Sequence, residues 1–171
     1  MDYNLCDYNT VKKILSAHGF NFSKALGQNF IIDDSICPAM AEMLGADEKT
    51  GVLEVGPGVG VLTKELCKRA GKVVSVELDE RLYPVLEQTM ADYDNFELVK
   101  GDVMKIDLHA LIPEKFADCD EVKICANLPY YITSPVIMML LQSKLPITEI
   151  EVMVQQEAAE RLCAPIGSRE A

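Results

Sequence analysis

The stretch "GVLEVGPGVGVLTKELCKRAGKVVSVELD", residues 51–79, decides the fold. It opens on a short apolar run, 51–55, and breaks at three closely spaced glycines, Gly56, Gly58 and Gly60. Apolar residues then recur at helical spacing, at Val61, Leu62, Leu66 and Ala70, up to Gly71, and a second apolar run follows at 72–77. A strand, a helix ending at a glycine C-cap and a second strand form a crossover, which places the two strands parallel in one sheet.

The same rhythm extends outward. "NFELVK" (95–100), "VKICA" (122–126) and "EIEVMV" (149–154) read as three more strands. "DERLYPVLEQTMA" begins a helix at Asp79, with acidic residues in the first turn, where the helix dipole favours them. Before residue 51, "NTVKKILSAHG" and "DDSICPAMAEMLGA" read as helices with Asn9 and Asp34 as N-caps, flanking "FSKALGQNFI". The pattern predicts an α/β fold, a parallel sheet with helices on both faces. No repeat, low-complexity tract or linker interrupts it. Residues 1–171 are expected to form one domain, with N-terminal helices in 1–50 and the α/β core in 51–171.

Composition narrows the function classes. With 171 residues, 49% of them hydrophobic, the chain can bury a substantial core. Its longest apolar stretches, such as 135–141, are too short to cross a bilayer, and "MDYNLCDYNT" lacks the order of a secretory signal. A cytoplasmic protein is expected. Six cysteines without a C-x-x-C pair and two distant histidines, His18 and His109, give no zinc or disulfide framework. The cysteines are expected to serve mainly as small apolar residues. A net charge of −11 opposes indiscriminate nucleic-acid binding. The charge is uneven, however. Residues 1–30 carry Lys12, Lys13 and Lys24 against Asp2 and Asp7, whereas 31–50 carry Lys49 against five acids, so any RNA-facing surface should favour the first segment.

The chemistry gathers at strand ends. In "LEVGPGVGVLT" the spacing is G-x-G-x-G with Pro57 inside, not the G-x-G-x-x-G of a dinucleotide site. Such a loop allows close backbone approach to a ligand, although glycines also serve ordinary tight turns. Glu77 ends the next strand, 21 positions after Gly56, where an acid can accept both hydroxyls of a ribose. Asp102, in "VKGDVMKID", repeats the placement after the third strand and could accept from an adenine amino group. Asn127 follows the fourth strand in "CANLPYYITS". Its side-chain oxygen and the Leu128 carbonyl could accept from an exocyclic amine and localise that nitrogen's lone pair. Pro129 adds a carbonyl without a competing N–H. Tyr130 offers a ring face for a flipped base.

Together, "KALGQNFI", "LEVGPGVGVLT", "VELD", "GDVMKID", "NLPYYITSP" and "VMVQQEAAERL", in that order, resemble the ribosomal RNA adenine dimethyltransferases, most closely the small-subunit branch linked to kasugamycin sensitivity. The resemblance covers about residues 9–171. It implies a Rossmann-like class I methyltransferase sheet, S-adenosylmethionine as cofactor, no metal, and dimethylation of two adjacent adenines in 16S rRNA of the small subunit. Carried over, Gln28, Asn29, Gly56, Gly58, Gly60, Glu77, Asp102 and Asn127 would hold the cofactor. Asn127, Leu128, Pro129 and Tyr130 would hold the target base. Family members usually continue into further strands and a small helical domain beyond the point where this sequence stops, so the resemblance implies a catalytic-domain fragment that is expected to bind the cofactor but to be weak or inactive on rRNA. Three alternatives stay open: the large-subunit dimethyltransferases of macrolide resistance, a protein-glutamine methyltransferase, whose usual N-P-P-Y is broken here by Leu128, and a noncatalytic RNA-binding or assembly factor.

Overall fold

The computed structural model describes residues 3–20, 33–128 and 130–167, and for Tyr130 and Tyr131 the backbone alone. Five strands, β1 (Thr50–Val55), β2 (Lys72–Glu77), β3 (Phe96–Lys100), β4 (Glu121–Asn127) and β5 (Glu149–Met153), match the five expected runs to within one residue at each end. They form one parallel sheet in the order β3-β2-β1-β4-β5. The helices among the described residues are α1 (Tyr8–Ala17), α2 (Ile36–Met43), α3 (Val61–Cys67), α4 (Tyr83–Thr89), α5 (Leu108–Lys115), α6 (Tyr130–Gln142) and α7 (Gln156–Cys163).

Side-chain alternation along the strands builds two cores. Val52, Val73 and Cys125 face one way, against α1 to α4 through Leu15, Ala41, Leu66 and Leu86. Leu53, Val74 and Ile124 face the other way, against α5 and α6 through Ile112, Phe116 and Leu140. β1 is buried along its whole length. A strand covered on both faces must read as a continuous apolar run, as "GVLEV" nearly does.

The helix ends depart from expectation. Asp7, not Asn9, caps α1: its backbone is extended and its carboxylate accepts from the Thr10 N–H at 2.8 Å and the Thr10 hydroxyl at 2.7 Å. Ser35, not Asp34, precedes α2, and it makes no side-chain cap. Instead Asp33 accepts from the Ser35 N–H at 2.9 Å, closing a local turn that stands in for the cap. The third departure is Gly71. α3 stops at Cys67, and Gly71 is outside the left-handed region. A side chain there would collide with the Glu48 carbonyl, while the Gly71 N–H bonds the carbonyls of Asp47 and Thr50, each at 3.0 Å. This glycine permits close approach of two backbones. Asp79 does cap the segment after β2, through Arg81 N, but a 3₁₀ turn at Glu80–Leu82 comes before α4.

Candidate active site

The strand order reverses direction at β1, which has β2 on one side and β4 on the other. Open α/β sheets bind ligands at such a switch point, outside the carboxyl ends of the strands. Val55 pairs with Val76 on one side and Ala126 on the other, so the next residues, Gly56, Glu77 and Asn127, end three adjacent strands at one level. Residues two apart share a face, so all three lie on the face covered by α1 to α4. The structure thus brings together the glycine loop, the Glu77 carboxylate and the Asn127 position. Gln28, Asn29, Pro129 and the Tyr130 side chain lie outside the described residues.

The three glycines do different work. Gly56 and Gly58 have φ of 73° and 61°, in the left-handed region that side chains rarely adopt. A β-carbon on Gly56 would stand 3.7 Å from Leu128 Cδ2 and 3.8 Å from the Asn127 carbonyl oxygen, so the loop and the start of the N-L-P-Y turn nearly touch. On Gly58 it would meet nothing within 4 Å, leaving room beside the loop for a ligand. Gly60 is left-handed too, at φ 99°, and a β-carbon there would stand 3.1 Å from Met90 Sδ and 3.3 Å from Thr89 Oγ1, so it also serves packing between α3 and the end of α4.

Glu77 is buried, and its carboxylate is held by backbone donors on both oxygens. Gly58 N–H donates to Oε2 at 3.2 Å and Asp79 N–H to Oε1 at 2.8 Å. Burial raises its pKa, against the pull of those N–H groups. The Tyr83 hydroxyl donates to the Glu77 carbonyl at 3.2 Å, anchoring the strand end from α4. Leu78 N–H adds a further pull on the same carboxylate, whose two oxygens side by side are the acceptor pair that two ribose hydroxyls would need. Asp102 follows β3 at the same edge. Its Oδ1 accepts from Met104 N–H at 2.9 Å and its Oδ2 lies 3.7 Å from Lys105 Nζ, so part of its acceptor capacity closes its own turn.

One tier lower on the same face runs a polar row absent from the sequence reading. Glu54 is level with Ser75 and Cys125, and Cys125 with Glu151. Glu54 is 1% exposed in the middle of an apolar strand. Its Oε2 accepts from Thr63 at 2.7 Å and from Ser75 at 2.5 Å. The Thr63 bond spans the glycine loop, tying the strand before it to the helix after it, and the Ser75 bond adds the strand that ends at Glu77. Burial pushes the Glu54 carboxyl up to about 7, with the Glu77 charge adding to the rise and the two hydroxyls opposing it. The only sequence signal was a lone acid within "GVLEV", two positions before Gly56. Cys37, Cys67 and Cys125 are buried and burial raises their thiols, so they serve as apolar residues as expected, whereas Cys163 is exposed.

Among the described residues no group of histidine, cysteine or acidic side chains could hold a metal ion, and no helix is long and apolar enough to cross a membrane. His18 is engaged with Gln88 Oε1 at 2.7 Å.

The sheet order and the edge occupied by Gly56, Glu77 and Asn127 define a Rossmann-like methyltransferase fold. The chain belongs to the ribosomal RNA adenine dimethylase family, whose model matches residues 19–171. It is 50% identical over 159 residues to the ribosomal RNA small subunit methyltransferase A of Bacillus licheniformis, and 48% identical over 159 residues to that of Bacillus pumilus. Each match covers 93% of this chain and 54% of the relative, so the chain spans about half the length of the curated relatives it matches. Among solved structures it is similar to a dimethyladenosine transferase from Plasmodium falciparum, with a TM-score of 0.66 and 28% identity over 81% of this chain and 47% of that one. It is also similar to the 23S rRNA methyltransferase ErmE, with a TM-score of 0.64 and 29% identity over 75% of this chain and 49% of that one.

Proposed function

We propose that the chain is the catalytic domain of an S-adenosylmethionine-dependent rRNA adenine dimethyltransferase, acting on two adjacent adenines of 16S rRNA in the small ribosomal subunit or its precursor, in the cytoplasm. Residues 1–171 form this one domain in the reading. The observation that carries it is the common level of Gly56, Glu77 and Asn127 at the switch point of the sheet. The higher identity to small-subunit relatives than to the 23S enzyme supports the choice of RNA. The fold neighbourhood and the intact edge support an enzyme over a noncatalytic factor.

The residues present fit the cofactor. The space beside Gly58 accommodates a chain lying against the loop, and the buried, preoriented Glu77 carboxylate suits a ribose diol. Gly56, Gly58 and Gly60 would contact the methionine end, Glu77 the ribose and Asp102 the adenine, with Gln28, Asn29 and Asn127 completing the contacts. When bound, S-adenosylmethionine supplies an electrophilic methyl group. Asn127 and the Leu128 carbonyl accept the N–H groups of the target amine, so that its lone pair is turned out of the ring. Pro129 contributes a carbonyl without a competing donor, and Tyr130 stacks on the base. Catalysis on this reading is positioning and hydrogen-bond polarisation, and the proton leaves to solvent.

The test is nucleoside mass spectrometry after incubating the chain and its full-length form with undermethylated small-subunit particles, 23S RNA or a release factor. Dimethyladenosine confined to 16S RNA is expected from the full-length form, with little or none from residues 1–171. Its appearance only in 23S RNA, or methylated glutamine in the release factor, would overturn the assignment.

A further inference from the structure

One face of α1 carries a cluster that the carboxyl edge does not use. Asn9, Lys12, Lys13 and Ser16 line a depression of about 570 Å³, larger than a single ion needs. Their spacing of three and four places them on one side of the helix. Tyr8, also exposed, lies beside them with Lys12 Nζ 6.0 Å from its ring centroid. Val11, Ile14 and Leu15 bury the opposite side.

Charge sets this face apart. The segment Tyr8–Ala17 contains no acidic residue, in a chain of net charge −11. Elsewhere Lys68, Lys72, Lys100, Lys115 and Lys123 end in ion pairs with neighbouring carboxylates. Among the described residues Lys12 and Lys13 end in none, as do Lys49 and Lys144, but Lys12 and Lys13 are adjacent on one helix. The capping Asp7, held down mainly by its bonds to Thr10, feels Lys13 as a minor further pull.

The position is also specific. The Tyr3 carbonyl, just before α1, accepts from Lys64 Nζ of α3 at 2.5 Å. At its other end His18 meets Gln88 of α4 and Phe20 lies under the Arg81 guanidinium, 5.1 Å from ring centroid to carbon, in the turn that follows Glu77. α1 is therefore fastened to α3 and α4, and the segment after it reaches the turn that follows Glu77. Two adjacent cations outside any ion pair among the described residues stand on this helix, in a molecule whose net charge otherwise repels polyanions.

We propose that this face of α1 is an RNA-docking surface, with Lys12 and Lys13 on neighbouring phosphates and Asn9 and Ser16 bonding sugar or phosphate oxygens. The proposal rests on the RNA-modifying reading above and adds the surface that seats the strand. A fluorescent RNA hairpin with two adjacent adenines in its loop serves as probe, with anisotropy read across a salt series. Lys12→Gln/Lys13→Gln should lower the slope of log affinity against log salt by about 1.4–1.8, which is about 0.7–0.9 per lost phosphate contact. Cofactor affinity and melting temperature should stay unchanged. Lys49→Gln/Lys144→Gln removes the same charge at the opposite, amino edge of the sheet, just before β1 and in the turn before β5, and should leave the slope near the parental value. Equal slopes for the two double variants would overturn the proposal, as would no salt-dependent hairpin binding by the parent, or poly-glutamate bound as tightly as RNA. Binding through α1 with no methyl transfer by the full-length form would overturn the dimethyltransferase reading and leave this surface standing. Methyl transfer with an unchanged slope in the α1 variant would do the reverse.

Discussion

The backbone N–H of Gly58 donates to Oε2 of Glu77 at 3.2 Å. The loop after β1 and the acid at the end of β2 are therefore one unit, and the second oxygen of that acid is held from the other side by Asp79 N–H. Disturbing either residue should be felt at the other.

Glu77→Ala is expected to weaken S-adenosylmethionine binding by about 1–3 kcal/mol, the cost of losing charge-assisted hydrogen bonds together with the brace on Gly58. Titration calorimetry checks this, and unchanged affinity would remove Glu77 from the site.

Asn127→Ala should leave cofactor affinity close to parental while turnover on RNA drops by about 10²-fold or more, as for other groups that stabilise developing charge. Single-turnover methylation with saturating cofactor separates the two effects. A parental rate would make the amide structural.

Glu54→Gln should flatten the dependence of stability on pH. Burial raises this carboxyl from 4.5 to about 7, so between those values the folded chain holds a proton that the unfolded chain has released. Stability then falls as pH rises through the window, by up to about 3 kcal/mol in total. The glutamine variant lacks that loss while its oxygen can still accept from Thr63 and Ser75. Urea midpoints of both proteins at the two ends of the window provide the check, and parallel shifts would show that Glu54 does not titrate there.

Gly71→Ala should destabilise the chain by about 1–3 kcal/mol or more, because the added methyl group meets the Glu48 carbonyl and backbone cannot swing aside. Gly51→Ala meets the Phe116 ring instead, a side chain that can turn, and should cost less. Denaturant melts compare them, and the opposite ranking would mean that the Asp47–Thr50 turn yields more readily than the core.

Much of the architecture was legible in the chain itself. Strands covered on both faces announce themselves as apolar runs, and "GVLEV", "KVVSVE" and "VKICA" sit within a residue of β1, β2 and β4. Gly56, Glu77, Asp102 and Asn127 were legible for a related reason: in a parallel sheet every strand ends at the same edge, so polar residues just past successive runs converge without knowledge of strand order.

Other features depended on neighbours distant in sequence. Asp7 displaced Asn9 as a cap because its carboxylate reaches Thr10, and Gly71 answers to Glu48, which approaches from the turn before β1. Residues within "GVLEV" declare burial but not partners, so the sequence by itself determined that Glu54 lies in a strand. Only the tertiary structure decided that its carboxylate would be closed off from water and shared between Thr63 and Ser75, nine and 21 residues away, because hydrogen-bond partners and desolvation are set by which elements pack together.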